Sequence, residues 1–236
     1  MKDNRTYYDD FADWYENERH HGYHALIDRL QFGLLEPHCP GADVLEVGCG
    51  TGLILQRVAP IARRAVGLDI SPRMLERARQ RGLDTVEGTA TELPFEDGSF
   101  DLVYSFKVLA HVEEIQVALG EIARVLRPGG LGLLDFYNRH SLRYLIKSIK
   151  RPNAVSEETT DHDVFTRYDS LRTVRSYLPP NLNYQGVHGI RTITPVAQVH
   201  DLPLIGRVCG YVERAVRDAP GLSRLGGFMV VRVQRA

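Results

Sequence analysis

Gly48, Gly50 and Gly52 stand at alternate positions directly after the short β-branched run Val44-Leu45-Glu46-Val47, and Asp69 closes the next such run seventeen residues past Gly52. Glycines at this spacing let a turn bend tightly and let the main chain approach a ligand without side-chain interference. An acid at the end of the following strand can accept both hydroxyls of a ribose. Strand, glycine turn and acid together describe a nucleoside-cofactor site at the carboxyl edge of a parallel sheet. A dinucleotide fingerprint needs a third small residue, and Leu53 occupies that place. Glu46, just before the turn, suits a cationic ligand better than a pyrophosphate. Two histidines follow later strand ends, His111 after Phe100–Ser105 and His140 after Leu131–Phe136. A neutral imidazole in either place could take a proton from a hydroxyl or an ammonium group.

The elements that must position these residues follow from periodicity. Leu26, Ile27, Leu30 and Leu34 recur at helical spacing within residues 1–40, and Pro37 and Pro40 end the pattern. Five short strands are expected: Val44–Val47, Ala65–Asp69, Asp84–Glu87, Phe100–Ser105 and Leu131–Phe136. Ser71-Pro72 starts a helix well, with Met74, Leu75 and Ala78 as its apolar side and Gly82 at its end. Ile115, Leu119, Ile122 and Leu126 line another, and a helix carrying Ile54 and Val58 is expected after the glycine turn. Strands alternating with helices predict βαβ units and a parallel sheet. Beyond residue 137, Ser141–Lys150 reads as a basic amphipathic stretch and Asn153–Asp163 as a polar loop. Asp169 is expected to cap a helix carrying Leu171, Val174 and Leu178. Tyr184–Thr194 and Phe228–Val233 read as closing strands that pair at the sheet edge. The connection between them, residues 195–225, is too long for a hairpin turn. Its apolar residues, among them Ile205, Val208, Tyr211, Val212 and Val216, are expected to be buried against the sheet edge, a second copy or, preferentially, the mouth of the site.

The segment Glu46-Val47-Gly48-Cys49-Gly50-Thr51-Gly52 resembles the first motif of the class I methyltransferases that use S-adenosylmethionine. Further motifs follow in the family's order. Gly67-Leu68-Asp69-Ile70-Ser71 resembles the ribose-binding strand end, and Gly88–Phe95 the adenine-side loop. Phe100–Ser105 resembles the fourth strand, and Leu126-Arg127-Pro128-Gly129-Gly130 the turn before the fifth. The resemblance covers roughly residues 44–136. It implies a doubly wound, mostly parallel seven-stranded α/β sheet in a single domain. Residues 1–40 would form a helical lid, 41–136 the cofactor-binding core and 137–236 a substrate-side half with the helical insertion. The cofactor residues carried over are Glu46, Gly48, Cys49, Gly50, Asp69, Ile70, Ala90, Thr91 and Phe106. Amides around Gly48–Gly50 would face the methionine part, Asp69 the ribose and Ile70 the adenine. The family usually has an acid where this chain has Thr89. Tyr7–Tyr15 resembles the lid of small-molecule methyltransferases, in which Tyr8 and Tyr15 would approach the cofactor and shield a sulfonium by cation–π attraction.

The implied activity is methyl transfer to an oxygen or nitrogen of a small organic acceptor, with His111 or His140 as base. Action on RNA or protein, and cofactor binding without methyl transfer, are the alternatives. Composition agrees with the small-molecule reading. Twenty-nine Lys and Arg balance thirty Asp and Glu, so no bulk attraction to nucleic acid or acidic membranes is expected. Three separated cysteines outline no disulfide framework, converging carboxylates for a metal are lacking, and no apolar run is long enough to span a bilayer. A cytoplasmic protein, monomeric or homodimeric, is the expectation.

Overall fold

The computed structural model describes residues 4–11, 22–149, 164–194 and 203–236. Seven strands form one sheet: β1 (Asp43–Val47), β2 (Arg64–Asp69), β3 (Asp84–Glu87), β4 (Phe100–Ser105), β5 (Leu126–Tyr137), β6 (Leu182–Ile190) and β7 (Phe228–Arg235). Their spatial order is β3-β2-β1-β4-β5-β7-β6. β3 to β5 pair in parallel, while β7 runs antiparallel between β5 and the edge strand β6. The strand order reverses between β1 and β4, where a parallel sheet opens a crevice beyond its carboxyl ends.

Side-chain alternation along the strands splits the core into two layers. Leu45, Val47, Leu68 and Val103 point to the face covered by Leu119 and Ile122 of α5 (Ile115–Val125). Val44, Leu102 and Tyr104 point to the other, covered by Leu26, Ile27, Leu30 and Leu34 of α2 (Gly22–Leu35). α4 (Pro72–Gln80) begins as its sequence implies, with the Ser71 hydroxyl accepting the Met74 amide at 3.2 Å.

Four local readings are revised. α3 (Leu55–Val58) is a single turn that starts after Ile54, and Pro60 lacks the amide needed to extend it. β5 begins at Leu126, before the Pro128-Gly129-Gly130 turn rather than after it. Ser170, not Asp169, caps α7 (Leu171–Tyr177): its backbone is extended and its hydroxyl accepts the Thr173 amide at 3.1 Å. The Asp169 carboxylate instead binds Tyr177 Oη at 3.1 Å and Arg167 Nε at 3.0 Å.

The fourth concerns α8 (Pro203–Arg217), within the long β6–β7 connection. It packs on α2 and β6, with Gly210 beside Leu26 and Arg217 bonded to Leu30 O. Of the residues expected to be buried, Val216 is half-buried, while Ile205, Val208, Tyr211 and Val212 face outward, Val208 57% and Tyr211 84% exposed. Glycine permits the closer approach, so the face carrying Gly210 and Glu213 turned inward. Buried Glu213 accepts the amides of Thr192, Ile193 and Thr194 at 2.9–3.1 Å and ties α8 to the end of β6. The polar loop 153–163 lies outside the described residues.

Candidate active site

Gly48, Gly50 and Gly52 all adopt positive φ, at 79°, 54° and 82°. That conformation reverses the chain at the end of β1 and turns the amides back toward β2. Gly48 N and Cys49 N donate to Leu68 O at 2.7 and 2.9 Å, and Gly50 N donates to Asp69 Oδ2 at 2.7 Å. The expected role of these amides as donors to a ligand is therefore corrected. They bind the protein itself, and the side of Gly52 where a Cβ would stand is filled by Leu83. The Cys49 side chain packs under Gly67, and burial pushes its thiol up.

Gly48 also makes room for a neighbour, since a Cβ there would sit 2.2 Å from Val108 Cγ2. Gly48→Ala should cost ~1–3 kcal/mol by overpacking on top of the φ strain. Thermal unfolding should show the loss, and Val108→Ala should restore part of it; a second variant that restores nothing would remove the clash as the cause.

Asp69 ends β2 beside this turn. Its Oδ1 accepts Ser71 N at 3.0 Å. Burial pushes its carboxyl up, and hydrogen bonds from the Ser71, Gly50 and Ile70 amides pull it back. Ile70 is half-buried next to it. Glu46, one residue before the end of β1, is buried and accepts Tyr104 Oη at 2.9 Å. Phe106 tilts against Tyr104 within the core, which leaves its backbone, just past β4, as the part able to meet a ligand.

The Gly88–Phe95 loop folds on itself. Thr89 Oγ1 accepts Thr91 N at 2.9 Å and lies 2.5 Å from Thr91 Oγ1, while Ala90 is buried between them. The Thr89 hydroxyl is thus engaged in its own turn. Two residues that sequence reading missed hold the loop from α5. Glu121 accepts Leu93 N at 2.8 Å, and Arg124 donates to Leu93 O and Phe95 O at 2.9 and 2.7 Å. Their i, i+3 spacing on the polar flank of α5 was the available signal.

α1 (Asn4–Phe11) lies over these strand ends. Arg5 reaches Glu87 at the end of β3 at 2.7 Å, and Asp9 accepts the Ser71 hydroxyl at 2.5 Å. The Tyr8 ring stands edge-on to His111 at 6.2 Å. α1 thus reaches from β3 to the turn after β4. Tyr15 lies outside the described residues.

His111 occupies the one-turn helix Leu109–His111 after β4. Its Nδ1 lies 2.8 Å from Phe165 O and 3.2 Å from Thr166 Oγ1, whose own hydrogen is directed to Val164 O. Two acceptors at Nδ1 put the proton there, so Nε2 carries the lone pair. Nε2 is 3.4 Å from the Tyr137 hydroxyl. The segment that supplies those acceptors also clamps the histidine's own turn: Arg167 N donates to Ala110 O and its guanidinium to Val112 O, both at 2.8 Å. Nothing in the sequence marked Phe165–Arg167, because a carbonyl acceptor has no residue-type signature. His140 is exposed in the turn after β5, with its amide on Asn138 Oδ1 at 2.9 Å. The structure does not bring it to His111.

A buried acid lies deeper. Asp135, on β5, accepts Gln31 Nε2 at 3.2 Å, and the positive-φ residue Lys107 directs its amide to the same carboxylate. Burial, partly offset by the charges of Lys107 and Arg143, pushes the Asp135 carboxyl up from 3.8 to about 7. The folded state thus holds this proton more tightly than the unfolded chain. Stability contributed here falls as pH rises from about 4 to about 7 and then levels. Asp135→Asn should abolish that slope, so its melting temperature should gain on the wild type across this window. A gap that stays constant with pH would contradict the assignment.

The amino-terminal edge of the sheet carries a different cluster, in which Arg63 and Arg127 bridge Asp43 and Asp101. These side chains satisfy one another in an open depression and hold strand ends together.

A family model described as "Methyltransferase domain" matches residues 45–134. A probable S-adenosylmethionine-dependent methyltransferase of Mycolicibacterium smegmatis is 41% identical over 107 residues, 44% of this chain and 42% of that protein. A ubiquinone biosynthesis O-methyltransferase of Xanthomonas campestris is 34% identical over 127 residues, 49% of this chain and 52% of that one. The chain spans about half the length of the curated relatives it matches. Among solved structures, a Thermotoga maritima S-adenosylmethionine-dependent methyltransferase, described as a possible histamine N-methyltransferase, superposes with a TM-score of 0.69 at 22% identity. The superposition covers 97% of this chain and 98% of that one, and it shows the shared fold. The glycine turn, Asp69 and the strand order lie in and around the matched residues 45–134, and that segment is similar to a methyltransferase domain in sequence and in fold.

Proposed function

We propose that the chain works as one domain that binds S-adenosylmethionine and transfers its methyl group to an oxygen or nitrogen of a small organic acceptor, with His111 as the base. The observation that carries this reading is the imidazole held by Phe165 O and Thr166 Oγ1, so that its lone pair is on Nε2 at the carboxyl end of β4.

The residues fit the cofactor. The turn is flanked by the acids Glu46 and Asp69, its amides are spent internally, and the Arg81 guanidinium is committed to Thr51 O and Arg77 O. A four-residue α3 offers little dipole to a phosphate. Such a site supplies acceptors, which suit ribose hydroxyls and a positively charged sulfur and would repel a pyrophosphate. Bound there, the cofactor supplies an electrophilic methyl group on a sulfonium.

The protein's share is alignment and a proton sink. Asp69 would take the ribose hydroxyls on lone pairs that the amides leave open. Ile70 would pack on the adenine, while Ala90 and Thr91 would bound its far edge. α1, latched through Asp9 to Ser71, would exclude water over the strand ends. Fixing donor and acceptor in line is worth up to ~7–11 kcal/mol. His111 Nε2 would take the acceptor's proton as the new bond forms, displacing its long contact with Tyr137.

Incubating the protein with methyl-labelled S-adenosylmethionine and a panel of phenols, hydroxy acids and amines tests the reading. Label on oxygen or nitrogen of a panel compound is expected. Bound cofactor with no labelled product, even in a cell extract, would favour a non-methylating protein. Label confined to the extract's RNA or protein would favour the macromolecular alternative.

A further inference from the structure

Beyond His111, away from the cofactor residues, lies a buried cation that nothing in the mechanism uses. Arg143 is the second residue of α6 (Leu142–Ile149). Its Nη1 is buried and has no hydrogen-bond partner. Among the described residues, no carboxylate lies within 4 Å of its guanidinium as an ion-pair partner. The group rests instead on aromatic faces, 4.5 Å from the Tyr137 ring centre, 4.8 Å from Phe228 and 5.8 Å from Tyr168. Gly227 leaves room for the arginine stem, since a Cβ there would meet Arg143 Cδ at 3.1 Å.

Burying a charge without a hydrogen-bonded counter-ion is costly, and buried cations are ordinarily paired. The neighbouring acids do not fill the gap. Glu213 is occupied by the 192–194 amides, and Asp28 by Lys107 at 3.0 Å. Asp135 is directed at Gln31 and the Lys107 amide, and its Oδ1, like Gln31 Oε1, is buried without a partner. Arg191, a half-buried arginine nearby, lies over the Tyr23 ring at 4.7 Å and adds positive charge. Each of these acids is turned to another donor, and the Arg143 guanidinium has no ion-pair partner among the described residues.

We propose that Arg143 is the specificity-determining anchor for a carboxylate on the methyl acceptor. The inference rests on the reading of the chain as a small-molecule methyltransferase and names the acceptor's chemical class. One guanidinium matches one carboxylate in charge and in its two-pronged geometry, whereas a phosphate dianion would leave a charge unpaired. The Tyr137 ring centre stands 5.5 Å from the His111 ring centre and 4.5 Å from the Arg143 guanidinium, so both groups lie against one side chain. An aromatic acceptor could therefore present its nucleophilic atom to His111 and its carboxylate to Arg143. The aromatic faces around the guanidinium favour an acceptor with a flat, apolar body.

The test uses the whole chain, saturated with S-adenosylhomocysteine. Probes are hydroxybenzoic, hydroxyphenylacetic and hydroxycinnamic acids, each paired with its primary amide, and binding is read by calorimetry and ligand-observed NMR. At least one acid should bind about tenfold or more tightly than its amide. Arg143→Gln should erase that ratio, and Arg143→Lys should keep part of it. Both should leave S-adenosylhomocysteine affinity unchanged. Ligand-free Arg143→Met should melt no lower than the wild type, because an unpaired buried charge has been removed; an arginine with a purely structural role would melt lower. Equal binding of acids and amides, no acid bound at all, or a preference that survives Arg143→Gln would each overturn the proposal. Wild-type protein that fails to bind S-adenosylhomocysteine would instead overturn the reading on which it rests.

Discussion

Asp69→Ala should lose S-adenosylmethionine binding by a factor of ten to a hundred or more while the sheet stays folded. The carboxylate has two duties in the structure, and the substitution removes both. It would accept the ribose hydroxyls, and a hydrogen bond to a charged group is worth ~1.5–3 kcal/mol. It also holds the glycine turn, because Gly50 N and Ser71 N donate to its two oxygens. Without it, the turn loses the restraint that fixes its positive-φ geometry. Asp69→Asn should fail almost as badly, since one amide-bonded oxygen becomes an NH2 that faces another N–H. Calorimetric titration with circular dichroism as a fold control decides the matter. An affinity equal to that of the wild type would place the ribose elsewhere.

His111→Ala should lower turnover by ~10²–10⁴-fold, the usual contribution of a positioned base, with cofactor affinity changed less than about twofold. The separation is expected because Phe165 O, Thr166 Oγ1 and the Tyr137 hydroxyl, which face the imidazole nitrogens, lie outside the glycine turn and the adenine-side loop. The limb of the pH–rate profile that reports imidazole protonation should vanish with the side chain. Thr166→Val should give a smaller loss, because Phe165 O alone still fixes the ring. A variant that keeps both the wild-type rate and its pH profile would remove His111 from the chemistry and leave alignment as the protein's whole contribution.

The parallel half of the sheet was legible because its signals are local. β-branched runs stop at Gly48 and Asp69, Ser71-Pro72 announces α4, and periodic leucines mark α2. Each depends on residue type at a fixed spacing, and the structure keeps all of them. The failures share another cause. The amides of Gly48–Gly50 were assigned to a ligand because sequence shows where glycine permits a turn and not which way its N–H groups point. The face of α8 was assigned by hydrophobicity, yet close approach to α2 was decided by small size at Gly210. Asp169 and Ser170 are adjacent candidate caps, and only backbone φ and ψ choose between them. Arg143 carried no signal at all. It lies in a stretch that sequence marks only as basic and amphipathic, and residues 137, 168 and 228, far apart in sequence, bring their rings around it.

Titrating the wild-type chain with S-adenosylmethionine and with NAD in parallel asks whether the cleft beyond β1 and β4 takes a cationic nucleoside. Acids at the turn, internally spent amides, a one-turn α3 and Leu53 in the small-residue place all predict one equivalent of S-adenosylmethionine bound and no measurable heat with NAD. Saturable NAD binding, with S-adenosylmethionine inert, would contradict the account.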